Sequence, residues 1–200
     1  AAAKQSLGLS GRTVALYLGS SRGTYLLEEL ADFVVTLRDA DPDTFLLALT
    51  PRDVTQVAGL LCACGLDRSG FSVRSVPPAE VARYAAAADV GLCFVRPTYA
   101  KAASSPTKVA EYLASGLPVV VTAGVGDLDA QVGGSGVGVL VHELDRADYR
   151  RAGAELRRLL DDPGLAGRCR RTAEARFGLE TVGAPRYRGL YDHLLGRPPP

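Results

Sequence analysis

Residues Thr13 to Leu37, TVALYLGSSRGTYLLEELADFVVTL, hold one complete structural unit. The opening run TVALYL is short, apolar and rich in β-formers, so it reads as a buried strand, and it feeds a loop, Gly19-Ser20-Ser21-Arg22-Gly23. Leu26, Leu27, Leu30, Phe33, Val34 and Leu37 then recur at helical spacing until Asp41-Pro42-Asp43 ends the segment. The same cycle repeats downstream. Strands are expected at Thr44–Leu49, Phe71–Val76, Val90–Val95, Pro118–Thr122 and Val137–Val141. Helices are expected from about Arg52 to Cys64, Pro78 to Ala88, Pro106 to Ser115 and, briefly, Asp127 to Val132. This alternation predicts an α/β fold: a doubly wound, Rossmann-like parallel sheet of about six strands with helices on both faces. From Arg146 the pattern is helical only, broken at Asp162-Pro163-Gly164 and near Gly178, a C-terminal helical tail packed on the sheet. Residues 12–145 form the sheet domain in this reading and 146–200 the tail.

Composition narrows the class. The 200 residues are 47% apolar and 22% charged, which excludes disordered, collagenous and coiled-coil chains. A net charge of +1 is too balanced for a protein whose task is to neutralise many phosphates, so no nucleic-acid partner is expected. No apolar stretch is long enough to span a bilayer, and AAAKQSLGLSGR lacks the apolar centre of a signal peptide, so a cytoplasmic location is expected. The chain contains no Met, which a fragment of a longer protein explains most simply. Cys62, Cys64, Cys93 and Cys169 lack zinc-ligand or disulfide-framework spacing and read as buried free thiols. The small net charge hides an asymmetry: residues 146–197 carry 12 Arg against 7 acids, so the helical tail is basic. That charge suits a solvated face or an anionic membrane surface.

In a doubly wound sheet, ligands bind beyond the carboxyl ends of the strands. Two loops there carry chemistry. Gly19, Ser20, Ser21, Arg22 and Gly23 offer glycines, hydroxyls and a guanidinium ahead of a helix, suited to an anion but lacking the full G-x-G-x-x-G or P-loop pattern. In Ser104-Ser105-Pro106-Thr107-Lys108-Val109-Ala110-Glu111, Ser105 is placed as N-cap with Pro106 at the first helical position, leaving amides at a positive dipole end. Thr107 and Glu111 then share a face with Lys108 alongside, presenting a hydroxyl and an ammonium to a phosphate and a carboxylate to a ribose. Lysine is rare here, 3 against 20 Arg, yet Lys101 and Lys108 both flank this motif.

Other patterns carry less. Asp127-Leu128-Asp129 supplies two carboxylates but no third ligand, so no metal is expected. The Gly133–Gly138 run precedes a strand and reads as a turn. His142 and His193 have no triad partners nearby in the chain, and Tyr17, Tyr25, Tyr84 and Tyr112 read as packing residues.

Taken together, SSPTKVAEYLASGLPVVVT, the preceding VPPAEVARYAAAAD and DVGLCFVRPTYAKAA, the opening YLGSSRGTYLLEELADF and the closing GVGDLDAQVGGSGVGVLV resemble the nucleotide-sugar half of retaining GT-B glycosyltransferases, glycosyltransferase family four. The resemblance covers nearly the whole chain from about Gly11. It implies a nucleoside-diphosphate-sugar donor, most often UDP-linked. Gly19, Ser20, Ser21 and Arg22 would approach the diphosphate, joined by Thr107 and Lys108, while Glu111 accepts from the ribose. Thr50-Pro51 and Ser75-Val76 would border the base. Lys108, Glu111 and Arg22 are the candidate catalytic groups, with Ser104 and Ser105 among the substrate-binding ones. No metal or other cofactor is implied, cations and helix-end amides stabilising the leaving diphosphate.

Two departures stand out. The family's E-x7-E pattern has its second member at Glu111, but its first position is Ala103, so the donor-sugar contact falls to Lys101, Ser104 or the loop Gly124–Asp127. The usual Arg and Lys pair after the first strand is reduced to Arg22. The resemblance also implies an N-terminal acceptor domain, with residues 1–11 as the linker from it, final helices reaching toward it, and no transfer by this half alone. A cell-surface polysaccharide acceptor and contact of the basic helices with the cytoplasmic membrane face would follow. Two alternatives remain: a sugar-nucleotide epimerase domain of the same fold, or a non-catalytic nucleotide-binding subunit.

Overall fold

A computed structural model of the protein describes residues 2–20, 23–51 and 53–197. A short helix, α1 (Ala2–Ser6), leads into β1 (Thr13–Leu18), α2 (Leu27–Ala40), β2 (Thr44–Leu49), α3 (Val54–Ala63) and β3 (Phe71–Arg74). A single 3-10 turn at Pro78–Glu80 then enters α4 (Val81–Ala85). After it come β4 (Val90–Cys93), α5 (Thr107–Ala114), β5 (Val119–Thr122), α6 (Leu128–Val132) and β6 (Gly138–Val141). The tail consists of α7 (Arg146–Leu160), α8 (Leu165–Phe177), a π-helical turn at Leu179–Gly183 and α9 (Ala184–Leu194).

The six strands are all parallel, in the order β3-β2-β1-β4-β5-β6. The chain therefore winds outward from β1 to one edge, then returns to β4 and winds to the other. The winding direction switches between β1 and β4, and such sheets take ligands in the crevice beyond the carboxyl ends of the strands at that switch.

Side chains alternate across each strand. Ala15 and Tyr17 of β1 pack on one face with α2, α3 and α7; Val14, Leu16 and Leu18 pack on the other with α4, α5, α6 and α8. Burial on both faces is why the strands read as continuous apolar runs. On the first face Phe33, Phe94 and Tyr149 form an aromatic cluster with centroids 5.4 to 6.4 Å apart. The second face is organised by Tyr112 of α5. Its ring lies against Gly91 of β4, where a Cβ would collide with it. Its hydroxyl accepts from the Leu18 amide at 2.8 Å and donates to the Leu92 carbonyl at 3.3 Å. One buried hydroxyl thus ties α5 to both strands of the crevice.

The tail differs. α7 lies beside α2 and α8 beside α5, whereas α9 packs chiefly on the turn before it. Tyr187, Leu190, Tyr191 and Leu194, on one side of α9, are exposed. No helix among the described residues is long and apolar enough to cross a membrane.

Some boundaries depart from the sequence reading. β3 stops at Arg74, because its last partner on β2 is Leu49, and Ser75 and Val76 leave the sheet. The expected helix from Pro78 to Ala88 is reduced to the 3-10 turn and the short α4. Pro106 is not the first helical residue: its ψ of 112° is extended, α5 begins at Thr107, and Ser105 is exposed without capping the helix.

Candidate functional site

The loop after β1 does not simply turn into α2. It crosses the end of β4 in a short antiparallel bridge between Tyr25 and Val95: the Leu26 amide donates to the Phe94 carbonyl at 3.1 Å, and the Arg96 amide to the Thr24 carbonyl at 2.8 Å. This places Tyr25 above the crevice. Tyr17, the last inward-facing residue of β1 on its face, meets it edge to face with centroids 6.5 Å apart, and the Tyr17 hydroxyl donates to the Ser20 carbonyl at 2.6 Å.

Lys108, in the first turn of α5, reaches into the space between these rings. Its Nζ lies 3.7 Å from the Tyr25 centroid and 4.8 Å from that of Tyr17. The residue is only 7% exposed, and its ammonium has no hydrogen-bond partner among the described residues. Burial pushes the Lys108 ammonium down to about 8, against the pull of Cys93 and Glu111. The buried Cys93 thiol is in turn pushed up to about 11.

Gly19 makes this approach possible. Its φ of +148° suits glycine, and a Cβ there would sit 2.7 Å from Lys108 Nζ. Its own amide is engaged with the Leu49 carbonyl at 3.0 Å, so Gly19 supplies room for the ammonium and not an anion-binding amide.

Beside Gly19 an apolar cleft of about 200 Å³ runs over the ends of β1 and β2, lined by Leu18, Gly19, Leu49, Thr50, Pro51, Val76, Pro78, Val81 and Glu111. A second hollow of about 340 Å³ continues it toward α5, sharing Leu18, Pro78, Val81 and Glu111. The lining is mostly apolar, with the exposed Glu111 carboxylate at its side.

Among the sequence-derived candidates, Gly19, Thr50, Val76 and Glu111 line this cleft, and Lys108 meets it at Gly19. Ser20 borders Tyr17, and Ser75 donates to the Pro51 carbonyl at 3.2 Å, bracing the far rim. Ser104, Ser105 and Thr107 lead into α5 outside the cleft's lining. Ser21 and Arg22 lie outside the described residues. Around the gap at Ala103, the Gly126 amide donates to the Lys101 carbonyl at 2.9 Å, and Gly126 presses so close to the Ser104 carbonyl that a Cβ would collide. Lys101, Ser104 and the Gly124–Asp127 loop therefore form one unit. The Asp127 carboxylate accepts from Gln131, and that of Asp129 from the Gly124 amide at 3.0 Å. Among the described residues, no three His, Cys, Asp or Glu side chains cluster as a metal site.

The residues that sequence reasoning missed are Tyr17 and Tyr25. The available signal was a pair of tyrosines bracketing the glycine loop after the first strand in a chain almost devoid of lysine.

Comparison with known proteins adds the architecture. No family model matches the sequence, and no curated protein does. Solved structures do match. Sucrose-phosphate synthase from Thermosynechococcus elongatus aligns over 97% of this chain and 48% of its own, with a TM-score of 0.70 and 23% identity. Anabaena HepE, solved in complex with UDP-glucose, aligns over 94% of this chain and 51% of its own, with a TM-score of 0.70 and 16% identity. The C-terminal domain of LpcC, a group 1 family glycosyl transferase from Francisella tularensis, aligns over 91% of both chains, with a TM-score of 0.61 and 17% identity. The chain has the fold of a GT-B half-domain. It spans about half the length of the longer structures it matches, and at these identities the likeness establishes fold, not activity.

Proposed function

We propose that this chain is the donor-binding domain of a retaining glycosyltransferase of family four, taking a hexose from a UDP-linked donor. The observation that carries this reading is Lys108: a buried ammonium without a partner among the described residues, at the start of α5, facing the loop after β1, at the end of an apolar cleft edged by a carboxylate. A diphosphate bound between Gly19 and α5 supplies the missing counter-charge, with Ser20 and Thr107 beside it, and the resemblance assigns Ser21 and Arg22 to it as well. The base enters the cleft beside Leu49, Thr50, Pro51 and Val76, and Glu111 accepts from the ribose. That HepE was solved with UDP-glucose on the same fold supports the assignment.

In this reading the leaving diphosphate is stabilised by Lys108, Arg22 and the amides of α5 without a metal ion. The Lys101, Ser104 and Gly124–Asp127 unit replaces the donor-sugar contact absent at Ala103. An N-terminal acceptor domain completes the cleft and covers the exposed side of α9; without it the half is inactive. The basic helices face an anionic membrane surface on the cytoplasmic side.

Titration calorimetry with UDP, CDP and GDP tests the proposal. UDP is expected to bind, and Lys108→Met to weaken it at least tenfold. Failure of all three nucleotides to bind at millimolar concentration would overturn it.

A further inference from the structure

Lys108 could have been an exposed lysine that finds a phosphate by flexibility. Instead two aromatic faces from different parts of the chain enclose it. Tyr17 is fixed by β1 and by its hydroxyl bond to Ser20, and Tyr25 by the bridge to Val95. Both rings lie within cation–π range of the ammonium, an attraction that holds a cation without neutralising it. A carboxylate in the same place would have neutralised the charge and competed with an incoming anion.

We propose that Tyr17 and Tyr25 are positioning residues, an aromatic box that keeps the Lys108 side chain aimed at the anion site beside Gly19, and that anion binding there is coupled to proton uptake by this lysine. The inference rests on reading the cleft as a diphosphate site, and it adds how that site is kept ready and how it responds to pH.

Among the described residues, the groups facing the ammonium are Tyr17 from β1, Tyr25 from the loop, Cys93 from β4 and Glu111 from α5 itself. Burial raises the pKa of both tyrosines, and that of the thiol to about 11, so none of the three loses its proton between pH 7 and 9. Lys108, at about 8, does. A bound diphosphate holds the ammonium protonated, because an opposite charge in contact favours the charged form. The free protein above pH 8 must therefore take up a proton on binding, and affinity must fall as pH rises. From pH 7 to 9 the expected loss is about tenfold, and at pH 8.5 the uptake is about 0.75 proton per site. The ligand does not mimic this, since a phosphate's second proton is lost near pH 6.

The experiment has two arms. In the first, 13C NMR follows the lysine side chains of the ligand-free protein across pH 6–11. With only Lys4, Lys101 and Lys108 present, assignment needs single substitutions alone. Lys108 is expected to titrate near 8 with its Cε protons shifted upfield by the rings. The upfield shift should persist in Tyr25→Phe and largely vanish in Tyr25→Leu. An unshifted Lys108 titrating above 10 overturns the box whether or not any nucleotide binds. In the second, calorimetry with UDP at pH 8.5 in two buffers of different ionisation enthalpy counts protons. Wild type and Tyr25→Phe should both take up about 0.75 proton, and Lys108→Met none. Tyr25→Leu should bind at least fivefold more weakly. Equal uptake by wild type and Lys108→Met, or unchanged affinity in Tyr25→Leu, sinks the proposal. If the first arm succeeds and UDP does not bind, the donor assignment fails while the box stands.

Discussion

Lys4 and Lys108 sit at opposite ends of the same pair of central strands, and the fold treats them in opposite ways. At the amino end, Lys4 Nζ lies 2.5 Å from Asp89, donates to the Arg12 carbonyl at 2.7 Å, and shares that carboxylate with the Val14 amide at 2.7 Å. Both charges of this pair are partnered. At the carboxyl end, Lys108 is more deeply buried and has aromatic faces around it but no acceptor among the described residues. A buried charge without a partner costs free energy, and a bound anion would supply the partner that Lys108 lacks. The amino end reads as structure and the carboxyl end as site, a distinction that exposure alone would have inverted.

The change with the largest expected effect breaks the frame on which the comparison stands. Tyr112→Ala removes a fully buried ring and the hydroxyl that joins α5 to Leu18 and Leu92. Loss of a buried aromatic costs about 3–5 kcal/mol, which urea denaturation should detect as a much lower midpoint. Tyr112→Phe keeps the ring but leaves the Leu18 amide unpaired, costing about 1–3 kcal/mol. Equal stability of both variants and wild type would mean that α5 is held by other means.

The second test sharpens the contrast at Lys108 itself. Its folded pKa is about 8 against an ordinary value of 10.5, so below pH 8 the folded state bears a net cost for the charge, burial less the pull of its neighbours, of about 3 kcal/mol. Above pH 8 the folded chain releases the proton while the unfolded chain keeps it until about 10.5. Unfolding then takes up a proton, and stability due to this group rises with pH across that window. Lys108→Met should therefore be more stable than wild type at pH 7, the two should converge toward pH 10.5, and UDP affinity should fall throughout. A variant less stable than wild type at pH 7 would show that the ammonium has an internal partner after all.

Much of this was legible in the chain. β1 and β2 begin and end where their apolar runs do, because Gly19 and the Asp41-Pro42-Asp43 turn punctuate them sharply. The breaks at Asp162-Pro163-Gly164 and Gly178 fall between helices for the same reason. Edges were less legible: β3 ends with its partner strand, and α5 starts where Pro106 turns extended, neither of which is encoded by the local residues alone. The importance of Lys108 and Glu111 followed from their spacing, but the environment of Lys108 did not. Tyr17 and Tyr25 are some ninety residues away in sequence, and only the switch between β1 and β4 brings them to it. Local patterns specify elements, whereas a buried ion's surroundings are a property of topology.

The smallest expected effect comes from the other lysine. Lys4→Met removes one partner of Asp89, but the carboxylate keeps the Val14 amide and some contact with water, since the pair is partly exposed. An ion pair of this exposure contributes about 1 kcal/mol or less, and screening by salt reduces it further. The variant should lose a degree or a few in melting temperature, with the loss shrinking at high ionic strength, and should bind UDP as wild type does with the same proton uptake. The two lysine variants would then move in opposite directions in stability and separate in binding: Lys4→Met less stable with binding intact, Lys108→Met more stable with binding impaired. If Lys4→Met also weakened UDP binding, the two ends of the central strands would be mechanically coupled, and the amino end could no longer be read as scaffold alone.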